Sequence, residues 1–105
     1  MKSITALELK AKLDSEEQVQ VIDIREDHEI MISSINGEHM PMSEILRMHN
    51  EINNEGIVVI HCRSGKRSAA VIHALESKFK LKNLYNLDGG ILAWANEIDP
   101  NMEQY

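Results

Sequence analysis

The only cysteine of the chain, Cys62, stands among residue types that favour anion chemistry. It opens the segment Cys62-Arg63-Ser64-Gly65-Lys66-Arg67, which holds three of the 11 Lys and Arg residues of a chain whose formal net charge is -6. Neighbouring cations lower the pKa of a thiol from its ordinary value of about 8.5 and so raise the fraction of reactive thiolate. The segment therefore predicts a nucleophilic cysteine and an anionic ligand at one point of an acidic molecule.

The residues on either side of this segment indicate where the thiol lies in the fold. The run Ile57-Val58-Val59-Ile60 is continuously β-branched, which is typical of a strand buried on both faces of a parallel sheet. Apolar residues then recur at three- and four-residue intervals, which predicts an amphipathic helix from about Arg67 to Lys80. Cys62 would thus lie at the carboxyl edge of a sheet, where free N–H groups and the helix dipole favour anions. Gly65 lets several amides converge on one centre.

The remaining elements complete an alternating pattern of strands and helices. We predict a first helix, begun by a Thr5–Glu8 capping box and ending near Asp14, and a later helix capped by Ser43. The other predicted elements are a strand over 19–24, a short helix over 25–31, an edge strand around 39–41, a strand over 84–87 and a last helix over 91–98. This alternation predicts an α/β domain with a mainly parallel sheet.

Length and composition exclude several functional classes. With 105 residues, 43% apolar and 27% charged, we expect a single globular domain over residues 1–105. The negative charge argues against nucleic-acid binding, and no apolar run could span a membrane. A start without a secretory pattern and a single cysteine, which can form no internal disulfide, favour the cytoplasm. The histidines have no metal-binding spacing with Cys62, so we expect no metal or cofactor.

Three motifs of this chain resemble those of the rhodanese domains. Val21-Ile22-Asp23-Ile24-Arg25-Glu26 resembles the family's early strand end, His61-Cys62-Arg63-Ser64-Gly65-Lys66-Arg67-Ser68 its active-site loop, and Leu87-Asp88-Gly89-Gly90-Ile91-Leu92-Ala93-Trp94 its closing segment. They occur in family order and span most of the chain. The resemblance implies a parallel five-stranded sheet flanked by helices on both faces. It also implies a rhodanese-type sulfurtransferase, similar to thiosulfate sulfurtransferases.

For the loop, the resemblance implies a route for sulfur. Cys62 would be the catalytic nucleophile that takes a sulfur atom as a persulfide, either from a small anionic donor such as thiosulfate or from a protein persulfide. Arg63 and Lys66 would attract that donor. Because the chain has no second cysteine, another molecule must take the sulfur on: a thiol, cyanide or a sulfur-carrier protein.

The other loop residues would support the sulfur. The loop that contains Ser64 and Gly65 would hold the persulfide through its amides. Arg67 would close the loop through hydrogen bonds to loop carbonyls. Ser68, in the first turn of the helix, would either donate a hydrogen bond to the sulfur or cap the helix.

Three polar residues within these motifs are interpreted as structural. Asp23 and Arg25 are explained by a salt bridge or by support of the loop, and we leave them off the catalytic residues. His61 precedes the nucleophile, but neighbours on a strand point to opposite faces, so we expect a core residue and no general base.

Two alternative functions stay open. Cysteine-dependent phosphatases and arsenate reductases share the strand, loop and helix arrangement, but their pattern would require an arginine at Ser68, one position beyond Arg67. The segment Ser33-Ser34-Ile35-Asn36-Gly37 departs from the common rhodanese pattern and resembles rhodanese domains fused to adenylyltransferases of molybdopterin and thiamine synthesis. That form favours a binding module for a sulfur-carrier protein or an adenylyltransferase.

Overall fold

The computed structural model describes residues 1–105 and forms an α/β fold. Its elements are β1 (Lys2–Ile4), α1 (Ala6–Asp14), β2 (Val19–Asp23), α2 (Asp27–Ile32), β3 (Glu38–His39), a 3₁₀ turn (His49–Glu51), β4 (Ile57–His61), α3 (Lys66–Phe79), β5 (Leu84–Leu87) and α4 (Gly90–Glu97). All strand pairs are parallel, in the order β1-β5-β4-β2-β3. The predicted five-stranded parallel sheet is confirmed. None of the helices is both long and apolar enough to span a membrane.

The β-branched strand β4 lies at the centre of the sheet and is covered on both faces. Val58 and Ile60 pack in one core with residues of α3, whereas Val59 packs in a second core with residues of α1 and α4. Successive side chains of a strand point to opposite faces, so a strand between two cores must be apolar throughout. This position brings the chain out of the sheet at Cys62, between its two neighbouring strands.

The prediction of a helix that begins at Ser43 is wrong. Residues 42–48 form successive turns that lead into the 3₁₀ turn His49–Glu51. The amide of Met48 bonds to the carbonyls four and three residues before it, at 3.0 and 3.1 Å, and this mixed spacing does not continue into a regular helix. Ile45 is nevertheless fully buried in the core. The apolar spacing therefore identified the side chains that pack inside, but tertiary packing decided the backbone.

The start of the chain holds both a confirmed prediction and a missed strand. The capping box is present, because the Glu8 amide donates to Thr5 Oγ1 at 3.1 Å and the Thr5 amide donates to Glu8 Oε1 at 2.9 Å. The preceding strand β1 has three residues, and only Ile4 among them is buried. A segment this short shows no alternating pattern in the sequence, and its strand conformation depends on pairing with β5.

Candidate active site

Cys62 follows the carboxyl end of β4, and α3 begins after Gly65. Gly65 has a φ of 105°, in the region that residues with a Cβ rarely adopt. This conformation turns the chain so that the first amides of α3 face back toward the sulfur. The short loop between strand and helix therefore wraps around the thiol, as the sequence predicts.

The first turn of α4 binds the main chain of the loop through hydrogen bonds. The amide of Ile91 donates to the carbonyl of Cys62 at 2.9 Å, and the amide of Leu92 donates to the carbonyl of Arg63 at 3.1 Å. Gly90 permits this approach, because a Cβ at this position would lie 2.4 Å from the carbonyl oxygen of Arg63. Main-chain amides of α4 thus provide the bonds to loop carbonyls that we expected from Arg67.

The sulfur of Cys62 is surrounded by hydrogen-bond donors. The amides of Gly65 and Ser68 donate to it at 3.1 and 3.4 Å, and the hydroxyl of Ser68 lies 3.4 Å away. Cys62 is 1% exposed. Burial raises the pKa of its thiol, but hydrogen bonds from Ser68 and from the amides of Gly65 and Ser64 outweigh burial and lower the pKa below its ordinary value. The lowered pKa agrees with the prediction, although its main cause is hydrogen bonding and not the three cations.

Asn86 of β5 links the next strand to this hydrogen-bond cluster. Its Oδ1 accepts from the hydroxyl of Ser68 at 2.5 Å, and its Nδ2 donates to the carbonyl of Gly65 at 3.1 Å. The first bond holds Ser68, which is completely buried beside the sulfur, and the second holds the loop at Gly65. Sequence reasoning missed Asn86. The available signal was a polar residue inside a strand that pairs with β4.

Arg67 is bound to an acid of α2. Its Nη1 and Nη2 donate to the two carboxylate oxygens of Glu29 at 2.7 and 2.8 Å, a bidentate pair. Glu29 is 5% exposed, and the bond from Arg67 lowers the pKa of its carboxyl well below the ordinary range. The guanidinium of Arg67 is therefore engaged inside the protein. Sequence reasoning did not identify Glu29 as its partner.

Arg63 and Lys66 are exposed at the mouth of the loop but differ in their contacts. Arg63 donates to the main-chain oxygen of Tyr105, and its Cζ lies 5.0 Å from the centroid of the Tyr105 ring. Lys66 has no hydrogen bond or ion pair. Tyr105 reaches the site from the far end of the chain, and nothing in the sequence indicated it.

Asp23 and Arg25 form a buried salt bridge beneath the loop, as one of the two interpretations held. Arg25 Nη2 lies 2.7 Å from Asp23 Oδ2, and both residues are at most 1% exposed. His61 is fully buried, which confirms the predicted core position. Its Nε2 has no hydrogen-bond partner and lies 3.6 Å from Asp23 Oδ2, and burial lowers the pKa of its imidazole. These three residues support the strand ends that carry the loop.

Known proteins share this sequence pattern and fold. The sequence profile described as "Rhodanese-like domain" matches residues 5–97. The chain is 33% identical to the Bacillus subtilis protein "Putative sulfurtransferase YtwF", with 95% of this chain and 96% of that one aligned. It is 30% identical to "Probable adenylyltransferase/sulfurtransferase MoeZ" of Mycobacterium tuberculosis over 98% of this chain but 27% of that protein.

Solved structures agree with the sequence comparison. A rhodanese-like domain protein from Staphylococcus aureus superimposes with a TM-score of 0.81 and 38% identity, over 100% of this chain and 99% of the other. The sheet is parallel and five-stranded, with the Cys62 loop at its carboxyl edge, and the family match covers most of the chain. These observations assign the chain to one family. The chain belongs to the family of rhodanese-like domains.

Proposed function

We propose that this chain is a sulfurtransferase that carries a sulfur atom on Cys62 as a persulfide. The family and the relatives named as sulfurtransferases support a sulfurtransferase-type enzyme. The observation that carries the proposal for Cys62 is the convergence of amides from Gly65 and Ser68 on its sulfur. Such amides stabilise negative charge on the thiolate and, after transfer, on a persulfide in the same loop.

In the first half of the reaction, the Cys62 thiolate attacks the sulfane sulfur of a donor. With thiosulfate, a new sulfur–sulfur bond forms to Cys62, and the bond inside thiosulfate breaks. Sulfite leaves with the electron pair of the broken bond, and one negative charge stays on the outer sulfur of the persulfide. No oxidant or reductant is needed, because the sulfane sulfur changes only its partner.

In the second half, an external acceptor attacks the outer sulfur. Cyanide, a small thiolate or a thiolate carried by a sulfur-carrier protein forms the new bond to the outer sulfur, and the Cys62 thiolate leaves with the electron pair. Cys62 is the only cysteine of the chain, so the persulfide has no internal thiol that could resolve it. The persulfide should therefore persist until an acceptor is supplied.

The test is direct loading of the protein. Incubation with thiosulfate, or with other sulfane donors, should increase the intact mass of the wild-type protein by one sulfur atom. Cyanide should then restore the original mass and release thiocyanate. Cys62→Ser should gain no sulfur, and a wild-type protein that stays unmodified with every donor would contradict the proposal.

The second candidate function is a binding module for a sulfur-carrier protein or an adenylyltransferase. Two relatives support it by name, MoeZ and the Bacillus subtilis protein "Putative sulfur carrier protein YrkF", which is 31% identical over 86% of this chain. A pull-down with the Cys62→Ser variant distinguishes the two functions. Retention of a carrier or adenylyltransferase, identified by mass spectrometry, together with negligible sulfur transfer by the wild type would favour the binding module.

A further inference from the structure

Tyr105 ties together the charged groups around the loop. Its hydroxyl donates to Glu29 Oε2 at 2.7 Å and accepts from Arg25 Nη1 at 3.0 Å. Its main-chain oxygen accepts from Arg63, whose Cζ lies 5.0 Å from the ring centroid. A cation over an aromatic face is attracted by the electrons of the ring, so it is less available to an anionic ligand. Tyr105 therefore holds Arg63 as well as the acid that binds Arg67.

Each of the three arginines around Cys62 is bound to another group of the protein. Arg67 is paired with Glu29, Arg25 is paired with Asp23, and Arg63 is bound by Tyr105. Only Lys66 offers an exposed cation without an ion pair or a hydrogen bond. Arg63 keeps its positive charge but is held by Tyr105, so Lys66 is the one cation of the loop that no other group holds.

The charges around the loop affect which sulfur donor can approach Cys62. When the Cys62 thiolate meets thiosulfate, two negative charges on the donor approach a third on the sulfur. Close like charges raise the free energy of the complex unless nearby cations compensate. A thiol persulfide in its protonated form, R–S–SH, brings a sulfane sulfur on a thiolate leaving group without negative charge on the two donor sulfurs. It therefore requires less compensation than thiosulfate does.

We infer that Tyr105 is a specificity-determining residue that directs Cys62 toward thiol persulfides and away from thiosulfate, by withholding Arg63 from the donor. The inference rests on the proposed sulfur transfer and names the class of donor. In the transfer, the Cys62 thiolate bonds to the outer sulfur of R–S–SH, which keeps its proton. The bond between the two donor sulfurs breaks, and the thiolate R–S⁻ leaves with the electron pair.

The test compares the rate constants for loading Cys62 by thiosulfate and by cysteine persulfide, measured by intact mass at low ionic strength. In the wild type, the persulfide should load faster. Tyr105→Ala removes the ring that lies against Arg63 and the hydroxyl that anchors Tyr105 to Glu29 and Arg25. The ratio of the thiosulfate to the persulfide rate constant should then rise about tenfold, as expected for a new charge-assisted bond to the donor. An unchanged ratio would overturn the inference.

A double-mutant cycle separates this role from a merely structural one. If Arg63 causes the gain, Arg63→Ala in the Tyr105→Ala background should return the ratio to about its wild-type value. Arg47→Ala, which removes an exposed arginine bonded to Glu44, is the matched control and should leave the gain in place. A gain that survives Arg63→Ala would contradict the proposed role of Tyr105.

A milder variant covers the case in which Tyr105→Ala does not fold. Tyr105→Phe keeps the ring but removes the hydroxyl bonds to Glu29 and Arg25, so it should raise the ratio by a smaller factor than Tyr105→Ala. A ratio equal to that of the wild type would count against the inference. Failure of every donor to load the wild-type protein would instead contradict the proposed function, so the two failures are distinguishable.

Discussion

At the scale of single residues, the reactivity of Cys62 depends on hydrogen bonds within 3.4 Å of its sulfur. Burial alone would favour the neutral thiol. Ser68 counters this with its amide, and its hydroxyl adds a bond when its single hydrogen turns to the sulfur instead of to Asn86 Oδ1. The cations that dominate the sequence of the loop contribute less, because two of the three are bound elsewhere. The thiolate is therefore stabilised mainly by groups that carry no net charge.

Ser68→Ala tests this account. Loss of the hydroxyl removes one of the bonds that lower the pKa of Cys62, so the pKa should rise and the thiolate should form only at higher pH. The rate of alkylation by iodoacetamide near neutral pH should fall by about threefold to tenfold, since each pKa unit changes the thiolate fraction tenfold. The measurement is the pH profile of the alkylation rate.

The matched control for this prediction is Ser77→Ala, an exposed serine on the same helix. Its pH profile should coincide with that of the wild type. If the profile of Ser68→Ala also coincided with that of the wild type, the hydroxyl would have no role in stabilising the thiolate.

At the scale of elements, three helices meet at the loop. The first turn of α3 supplies amides to the sulfur, the first turn of α4 holds the loop carbonyls, and α2 supplies the acid that binds Arg67. The phosphatase alternative would need an arginine at position 68, but that position holds a serine buried between Cys62 and Asn86. The loop therefore lacks the arginine that the phosphatase pattern places at this position.

Gly90→Ala should disturb the contact between α4 and the loop. The added methyl group would lie 2.4 Å from the main-chain oxygen of Arg63, so the backbone of the loop or of α4 must shift. We expect the free energy of unfolding to fall by about 2–4 kcal/mol, from the clash together with a left-handed backbone. Urea denaturation measures this loss, and the alkylation rate of Cys62 should change as well.

Gly56→Ala isolates the backbone contribution to that loss. Gly56 also has a positive φ of 75°, but a Cβ there would meet no atom within 4 Å. Its free energy of unfolding should fall by about 1 kcal/mol, with no change in the alkylation rate. Equal losses in the two variants would show that the close approach of Gly90 to the loop carries no energetic weight.

Glu29→Gln should weaken the link between α2 and α3 in a pH-dependent way. The Arg67 bond lowers the pKa of Glu29 in the folded state, so its stabilisation is fully present above the unfolded pKa of about 4.3 and is lost as the pH falls below that value. At neutral pH the variant should lose about 1–3 kcal/mol, and the difference from the wild type should shrink in acid.

The control for Glu29→Gln is Glu44→Gln, which breaks an exposed pair with Arg47. Exposed pairs contribute little, so this variant should lose less than about 1 kcal/mol at any pH. Urea denaturation at neutral and acidic pH measures both variants. A loss in Glu29→Gln that stayed constant with pH would contradict the assigned role of its carboxylate.

At the scale of the whole molecule, cations collect at one edge of an acidic protein. The largest surface depression, with a volume of about 550 Å³, lies at the opposite edge of the sheet and is lined by acids that include Glu17, Glu38 and Glu55. Cys62 is instead almost completely buried in its loop, with 1% of its surface exposed.

Much of this arrangement could be predicted from the sequence alone. The β-branched run before Cys62 and the apolar spacing after it determine a buried strand, a loop and a helix, because both patterns depend on local periodicity. The concentration of cations around Cys62 predicted the place of the candidate site. Local patterns do not fix short elements such as β1, or the turns after Ser43, where pairing and packing with distant residues decide the backbone.

Only the tertiary structure decided which distant residues hold the loop around the sulfur. Glu29, Asn86 and Tyr105 lie 33, 24 and 43 positions from Cys62 in the sequence, and their roles depend on the strand order that brings β2, β5 and the end of the chain to one edge. The sequence alone determined that Cys62 is a thiol among cations. The fold decided that those cations are largely bound and that uncharged donors hold the sulfur, because charges in a folded chain pair with the nearest partners in space.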